Sequence, residues 1–117
     1  MPILMLSADL MFASRVSGAA ARLGMTLQTA ATPAMLLERL ATPEAGAVLV
    51  LDLTTRGFDP RQWVSQFRQA ANPPIKILAY GPHVQEGLLS AATEAGCDEV
   101  FTRGQFNAQM DQILGRE

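Results

Sequence analysis

The sequence predicts a parallel α/β domain with helices on both faces of its sheet, and three observations point there. Short apolar runs alternate with amphipathic stretches, five times over. The third run is apolar throughout, as a strand covered on both faces must be. Residues that start or stop helices stand at most of the boundaries. Alternation of this kind implies right-handed crossovers and a three-layer arrangement.

The elements follow in order. Ile3-Leu4-Met5-Leu6 reads as the first strand. Phe12, Val16, Ala19 and Leu23 then recur at helical spacing, with Asp9 or Ser7 as cap and Gly24 as terminator. Met25-Thr26-Leu27 is the second strand, and Thr32-Pro33 reads as N-cap followed by first helical residue, ahead of Leu36, Leu37 and Leu40. Ala47-Val48-Leu49-Val50-Leu51 is the central strand. Asp59-Pro60 opens the helix of Trp63, Val64 and Phe67, which Asn72-Pro73-Pro74 stops. Ile75 to Ala79 form the fourth strand, with the stripe Val84, Leu88, Leu89 and Ala92 behind it and Gly96 placed for a left-handed exit. Glu99-Val100-Phe101 is the last strand. Phe106, Met110, Ile113 and Leu114 mark one final helix.

Composition narrows the function. The chain has 117 residues, the size of one domain spanning 1–117, with 49% apolar residues and a net charge of −2. That balance excludes disorder and argues against a nucleic-acid grip. One cysteine and one histidine leave no disulfide framework, no cysteine-based zinc site and no Ser-His-Asp chemistry. The longest apolar run is too short for a bilayer, and the amino terminus lacks a signal-peptide pattern, so the expectation is a cytoplasmic domain. No G-x-x-x-x-G-K or G-x-G-x-x-G is present, which weakens nucleotide binding.

In such folds chemistry gathers at the carboxyl ends of the strands. Asp52 is the sharpest signal there, because it directly follows five apolar residues. A carboxylate at that place is costly unless it is exposed in a crevice or paired. Two readings of Asp52 stand: an acceptor for the amides of the following loop, at Thr54 or Thr55, or a nucleophile or ligand group.

At this point the residues resemble a known family. The segment VLVLDLTTRGFD (48–59) is similar to the apolar strand, phosphoacceptor aspartate and Gly-x-Asp loop of bacterial response-regulator receiver domains. AGCDEVFTRGQF (95–106) resembles the same family's fifth-strand segment, and the likeness runs over essentially the whole chain. The resemblance implies a flavodoxin-like (βα)5 domain with strand order 2-1-3-4-5. It also makes Asp52 the phosphoacceptor equivalent.

The chemical positions depart from the family's pattern. Its acidic pair falls on Ser7 and Ala8, with Asp9 acidic one position late. Its hydroxyl position falls on Ala79, followed by Tyr80, and its lysine position falls on Arg103. Three clustered carboxylates need a divalent ion, whereas one carboxylate facing a guanidinium does not. The sequence therefore predicts an Asp52–Arg103 pair in place of a magnesium site. The expected activity is that of a degenerate receiver-like signalling module. It binds another protein, is not an enzyme and holds no cofactor. One alternative is a working phosphoacceptor in which Asp9 replaces the lost pair and Mg²⁺ is bound. Another is a flavodoxin-like domain that binds a small ligand.

Thr54 and His83 are candidates for lining the crevice. A lone histidine is more often a turn residue than a metal ligand, and no metal site is expected. Cys97 reads as a small buried hydrophobe, and the six methionines and Trp63 read as core, with an exposed patch at Trp63 as the alternative. By resemblance, the face of the fourth helix, fifth strand and fifth helix is where a partner or a second copy would dock. Gln85, Glu86, Glu94, Gln105 and Gln109 are the residues expected there.

Overall fold

A computed structural model describes residues 2–41, 48–71 and 75–116. Five strands form one parallel sheet: β1 (Pro2–Leu6), β2 (Thr26–Ala30), β3 (Val48–Asp52), β4 (Lys76–Gly81) and β5 (Glu99–Thr102). Their order is β2-β1-β3-β4-β5, with the switch point between β1 and β3. The helices are α1 (Leu10–Arg22), α2 (Pro33–Leu40), α3 (Pro60–Ala70), α4 (Glu86–Ala95), α5 (Arg103–Ala108) and α6 (Met110–Gly115).

The sheet's side-chain alternation splits the core in two. Leu4, Leu6, Leu49, Leu51 and Ile77 pack with Leu36, Leu40, Val64 and Phe67, residues of α2 and α3. Ile3, Met5, Val48, Val50 and Leu78 pack with Phe12, Val16, Phe106 and Ile113 on the opposite face. β3 is buried at all five positions, as its unbroken apolar run requires.

The caps follow the sequence. Asp9, Thr32 and Asp59 each accept a first-turn amide, and Pro33 and Pro60 open their helices. Gly96 ends α4 at φ 106°, a left-handed value that a side chain would strain. Ala47 and Asn72-Pro73-Pro74, assigned above to a strand start and a helix stop, lie outside the described residues.

Four expectations are corrected. The final helix is two short ones, because Gln109 (φ −115°, ψ 20°) interrupts it. Its apolar stripe survives the break, and Phe106, Met110, Ile113 and Leu114 are all buried. Val84 precedes α4 rather than joining its stripe, and it is 75% exposed. Leu23, the last position of the first stripe, is the exposed C-cap of α1. Met11 and Met35 are exposed, unlike the buried Met5 and Met110, while Met1 lies outside the described residues. Trp63 is half-buried and stacks on Phe67 at 6.0 Å. Cys97 is buried, and burial pushes its thiol up to about 11, which disfavours the thiolate form.

Candidate functional site

The register of the sheet builds a row of polar side chains at its carboxyl edge. β1 ends one residue before Ser7, and Ser7 continues the parallel ladder by donating its amide to Ala30. Asp52 is the last residue of β3 and pairs with Tyr80 of β4. Ser7, Asp52 and Tyr80 are all buried.

Asp52 is 4% exposed, and both of its carboxylate oxygens are engaged. Oδ1 accepts the amide of Thr54 at 3.0 Å and its hydroxyl at 2.7 Å. Oδ2 accepts the Ser7 hydroxyl at 3.1 Å. Ser7 Oγ in turn accepts the Asp9 amide at 3.0 Å, which ties the start of α1 to the same corner. Of the two readings left open for Asp52, the loop-acceptor arrangement is present, with Thr54 supplying the amide. Neither the Thr54 hydroxyl nor the Ser7 hydroxyl was foreseen as a donor.

Asp9 faces elsewhere. Its Oδ1 accepts the Phe12 amide at 3.0 Å, and its Oδ2 accepts Arg103 Nη2 at 2.7 Å. The Phe12 amide first, and then the Arg103 guanidinium, hold its carboxyl below the usual range. The expected Asp52–Arg103 pair is therefore corrected: Arg103 pairs with Asp9. The reason is position. Arg103 opens α5 at the rim, where the half-exposed N-cap aspartate is within reach, while Asp52 lies beneath.

Arg103 also covers the Phe12 ring, 4.5 Å from its centroid. Phe12 lies 4.8 Å from Tyr80, Tyr80 lies 5.0 Å from Phe106, and Phe12 lies 6.1 Å from Phe106. The three rings close a triangle, and Tyr80 is its corner beside Asp52 in the sheet. Tyr80 is fully buried, and among the described residues its hydroxyl has no hydrogen-bond partner. Burial, and after it the Asp52 charge, push its phenol well above the ordinary value. Nearby Ser7 acts in the opposite direction, although neither Ser7 nor Asp52 meets the hydroxyl in bonding geometry.

The remaining candidates are dispersed. Ala79 is buried on the other face of the sheet, among the leucines, so it contributes no polar atom at Asp52. Ala8 and Thr54 are exposed. His83 sits in the exposed turn between β4 and α4. On the expected docking face, Glu94 is exposed and pairs with Arg61 of α3 at 3.1 Å. Gln105 is engaged in the capping box with Thr102. Gln85, Glu86 and Gln109 are exposed. A separate open groove of about 610 Å³ runs between α1 and α5–α6, lined by Arg15, Gly18, Arg22, Asn107 and Asp111.

Sequence reasoning missed the aromatic triangle. The signal was present, since Phe12 and Phe106 each lead the apolar stripe of a helix flanking the site. Nothing in the spacing placed both rings against Tyr80.

No protein-family model matches the chain, and no curated protein matches it in sequence. Solved structures do match it in fold. The receiver domain of a sensor histidine kinase from Pseudomonas aeruginosa PAO1, which has a magnesium ion coordinated in its active-site cleft, superposes with a TM-score of 0.79 at 14% identity, covering 98% of this chain and 94% of that one. A signal receiver domain of a response regulator from Bermanella marisrubri gives 0.79 at 23% identity, covering 97% and 94%. The receiver domain of NtrX from Brucella abortus gives 0.81 at 16% identity, covering 97% and 95%. The fold is that of response-regulator receiver domains, as the sequence resemblance implied.

Proposed function

We propose that this chain is a degenerate receiver-like signalling module that acts by binding another protein, without magnesium-dependent phosphorylation and without catalysis. One observation carries the reading. The aspartate at the phosphoacceptor position is buried, and both of its oxygens are engaged by the chain's own Ser7 and Thr54.

The donor set does not fit magnesium. Mg²⁺ needs hard oxygen ligands in near-octahedral geometry. Ser7 and Ala8 occupy the places of the acidic pair, and Asp9 is committed to the α1 amides and to Arg103. Among the described residues, no group of three His, Cys, Asp or Glu side chains is arranged to hold a metal ion. The same commitment of Asp9 speaks against the alternative in which it substitutes for the lost acids.

The two-component context rests on the shared fold and on the resemblance at 48–59 and 95–106. A cytoplasmic location is part of the same proposal. Among the described residues no helix is long and apolar enough to cross a membrane. We place the partner surface on α4, β5 and α5, where Gln85, Glu86 and Gln109 are exposed.

A beryllofluoride and Mg²⁺ titration followed by amide NMR tests the reading. The expected result is no shift change at Asp52, Leu53 or Thr54, and no adduct on Asp52 after incubation with acetyl phosphate. Saturable shifts at those amides would establish a working phosphoacceptor instead.

A further inference from the structure

We propose that Tyr80 is an internal plug, closing Asp52 to oxyanion ligands by shape and independently of the charges around it. The proposal rests on the reading of Asp52 as a silent phosphoacceptor equivalent, and it names what keeps that position silent.

The register sets the plug. Asp52 and Tyr80 are direct partners in the β3–β4 ladder, so their side chains leave the same face of the sheet next to each other. Phe12 from α1 and Phe106 from α5 hold the phenol ring at 4.8 and 5.0 Å. Arg103, anchored by Asp9 at 2.7 Å, lies over Phe12 as a roof. The stack therefore joins β4, α1 and α5 through Tyr80, the ladder partner of Asp52.

An oxyanion approaching Asp52, or a metal carrying one, must bring an oxygen to within about 3 Å of the carboxylate. Tyr80 leaves the sheet next to Asp52 on the same face, in a corner where Ser7, Asp52 and Tyr80 are all buried. Among the described residues the hydroxyl has no hydrogen-bond partner. A purely structural aromatic would be served better by phenylalanine, since a buried unpartnered hydroxyl is costly. What the phenol does supply is bulk that reaches toward Ser7 and Asp52.

Carboxylate labelling of the intact chain, with a water-soluble carbodiimide and glycinamide read by peptide mass spectrometry, tests this. The exposed Glu38 and Glu86 serve as internal references. In the wild type, Asp52 is expected to stay unlabelled. Tyr80→Phe keeps the ring and loses only the reach of the hydroxyl, so its labelling should fall between the wild type and Tyr80→Ala. Arg103→Ala removes the roof but leaves the plug, and Asp52 should remain protected. In Tyr80→Ala, labelling of Asp52 should rise to the level of Glu38. Tyr80→Leu provides the same arm if the alanine variant fails to fold, with circular dichroism as the check.

Labelling of Asp52 in the wild type or in Arg103→Ala would overturn the plug, and those two arms stand whatever the others do. Continued protection in a folded Tyr80→Ala or Tyr80→Leu would also overturn it. A labelled wild type with no beryllofluoride shift would sink the plug alone. A beryllofluoride shift in the wild type would sink the reading beneath it.

Discussion

Asp52 and Asp98 stand at opposite edges of the same sheet and are held in opposite ways. Asp98, at the amino edge, accepts Arg68 Nη2 at 2.9 Å and the Ile77 amide at 2.7 Å, and its side chain is partly exposed. Arg68 also donates to the carbonyls of Ile75 and Gly96, so one guanidinium latches α3 to β4 and to the turn before β5. Burial alone would raise the Asp98 carboxyl, but the Ile77 amide and Arg68 outweigh it and the group is lowered. Asp52 is held by a serine hydroxyl, a threonine hydroxyl and one amide. The nearest sequence candidate for its cation, Arg103, is engaged by Asp9. A charge neutralised by a guanidinium tolerates water around it. A charge held only by neutral donors depends on the packing that keeps those donors in place.

The largest expected effect tests that dependence. Tyr80→Ala should destabilise the fold by about 3–5 kcal/mol, as truncation of a buried aromatic does, measured by urea unfolding. A loss near 1 kcal/mol would mean that the corner is loosely packed and that the contrast with Asp98 is overstated. Ser7→Ala comes next. It removes a donor from Asp52 and an acceptor from the Asp9 amide, and about 1–3 kcal/mol should be lost.

At the other edge, Asp98→Asn keeps an acceptor for Ile77 but discards the charge facing Arg68, and about 1 kcal/mol is expected at neutral pH. The sign of its pH dependence follows from the lowered carboxyl. The contribution of Asp98 is present above the unfolded value of about 3.9 and is lost as pH falls through the lower folded value. Paired urea titrations at neutral pH and well below that value should therefore converge for wild type and variant. A gap that persists in acid would show that the latch does not depend on charge.

Much of this was readable in the chain before its structure. Val48 to Leu51 announced a strand buried on both faces, and Thr32-Pro33 and Asp59-Pro60 announced helix starts, because these signals depend on neighbours in sequence. Asp52 was legible for the same reason. The pairing of Arg103 was not, since it depended on which of two carboxylates, Asp9 or Asp52, lay nearer the rim. That is decided by where α5 begins and by the burial of β3, both tertiary facts. The break at Gln109 was hidden because the apolar stripe continues across it. Tyr80 was legible as the residue that follows the family's hydroxyl position. The clamp that Phe12 and Phe106 make on it required the sheet register and two helix placements together.

The smallest effect is the most discriminating. In Tyr80→Phe the ring and its contacts with Phe12 and Phe106 persist, and only the hydroxyl is lost. Because that hydroxyl is buried without a partner, its removal should leave stability unchanged or raise it by up to about 1 kcal/mol. A fall of similar size would mean that the phenol donates to Ser7 or Asp52 in solution. Asp52 would then have a third hydroxyl donor, and its charge would be shared among neutral groups on β1, on β4 and in the loop after β3. Urea unfolding of the wild type, Tyr80→Phe, Ser7→Ala and the double variant separates the two cases. Additive losses place the Tyr80 and Ser7 hydroxyls in independent roles, whereas a coupling between them places both on one carboxylate.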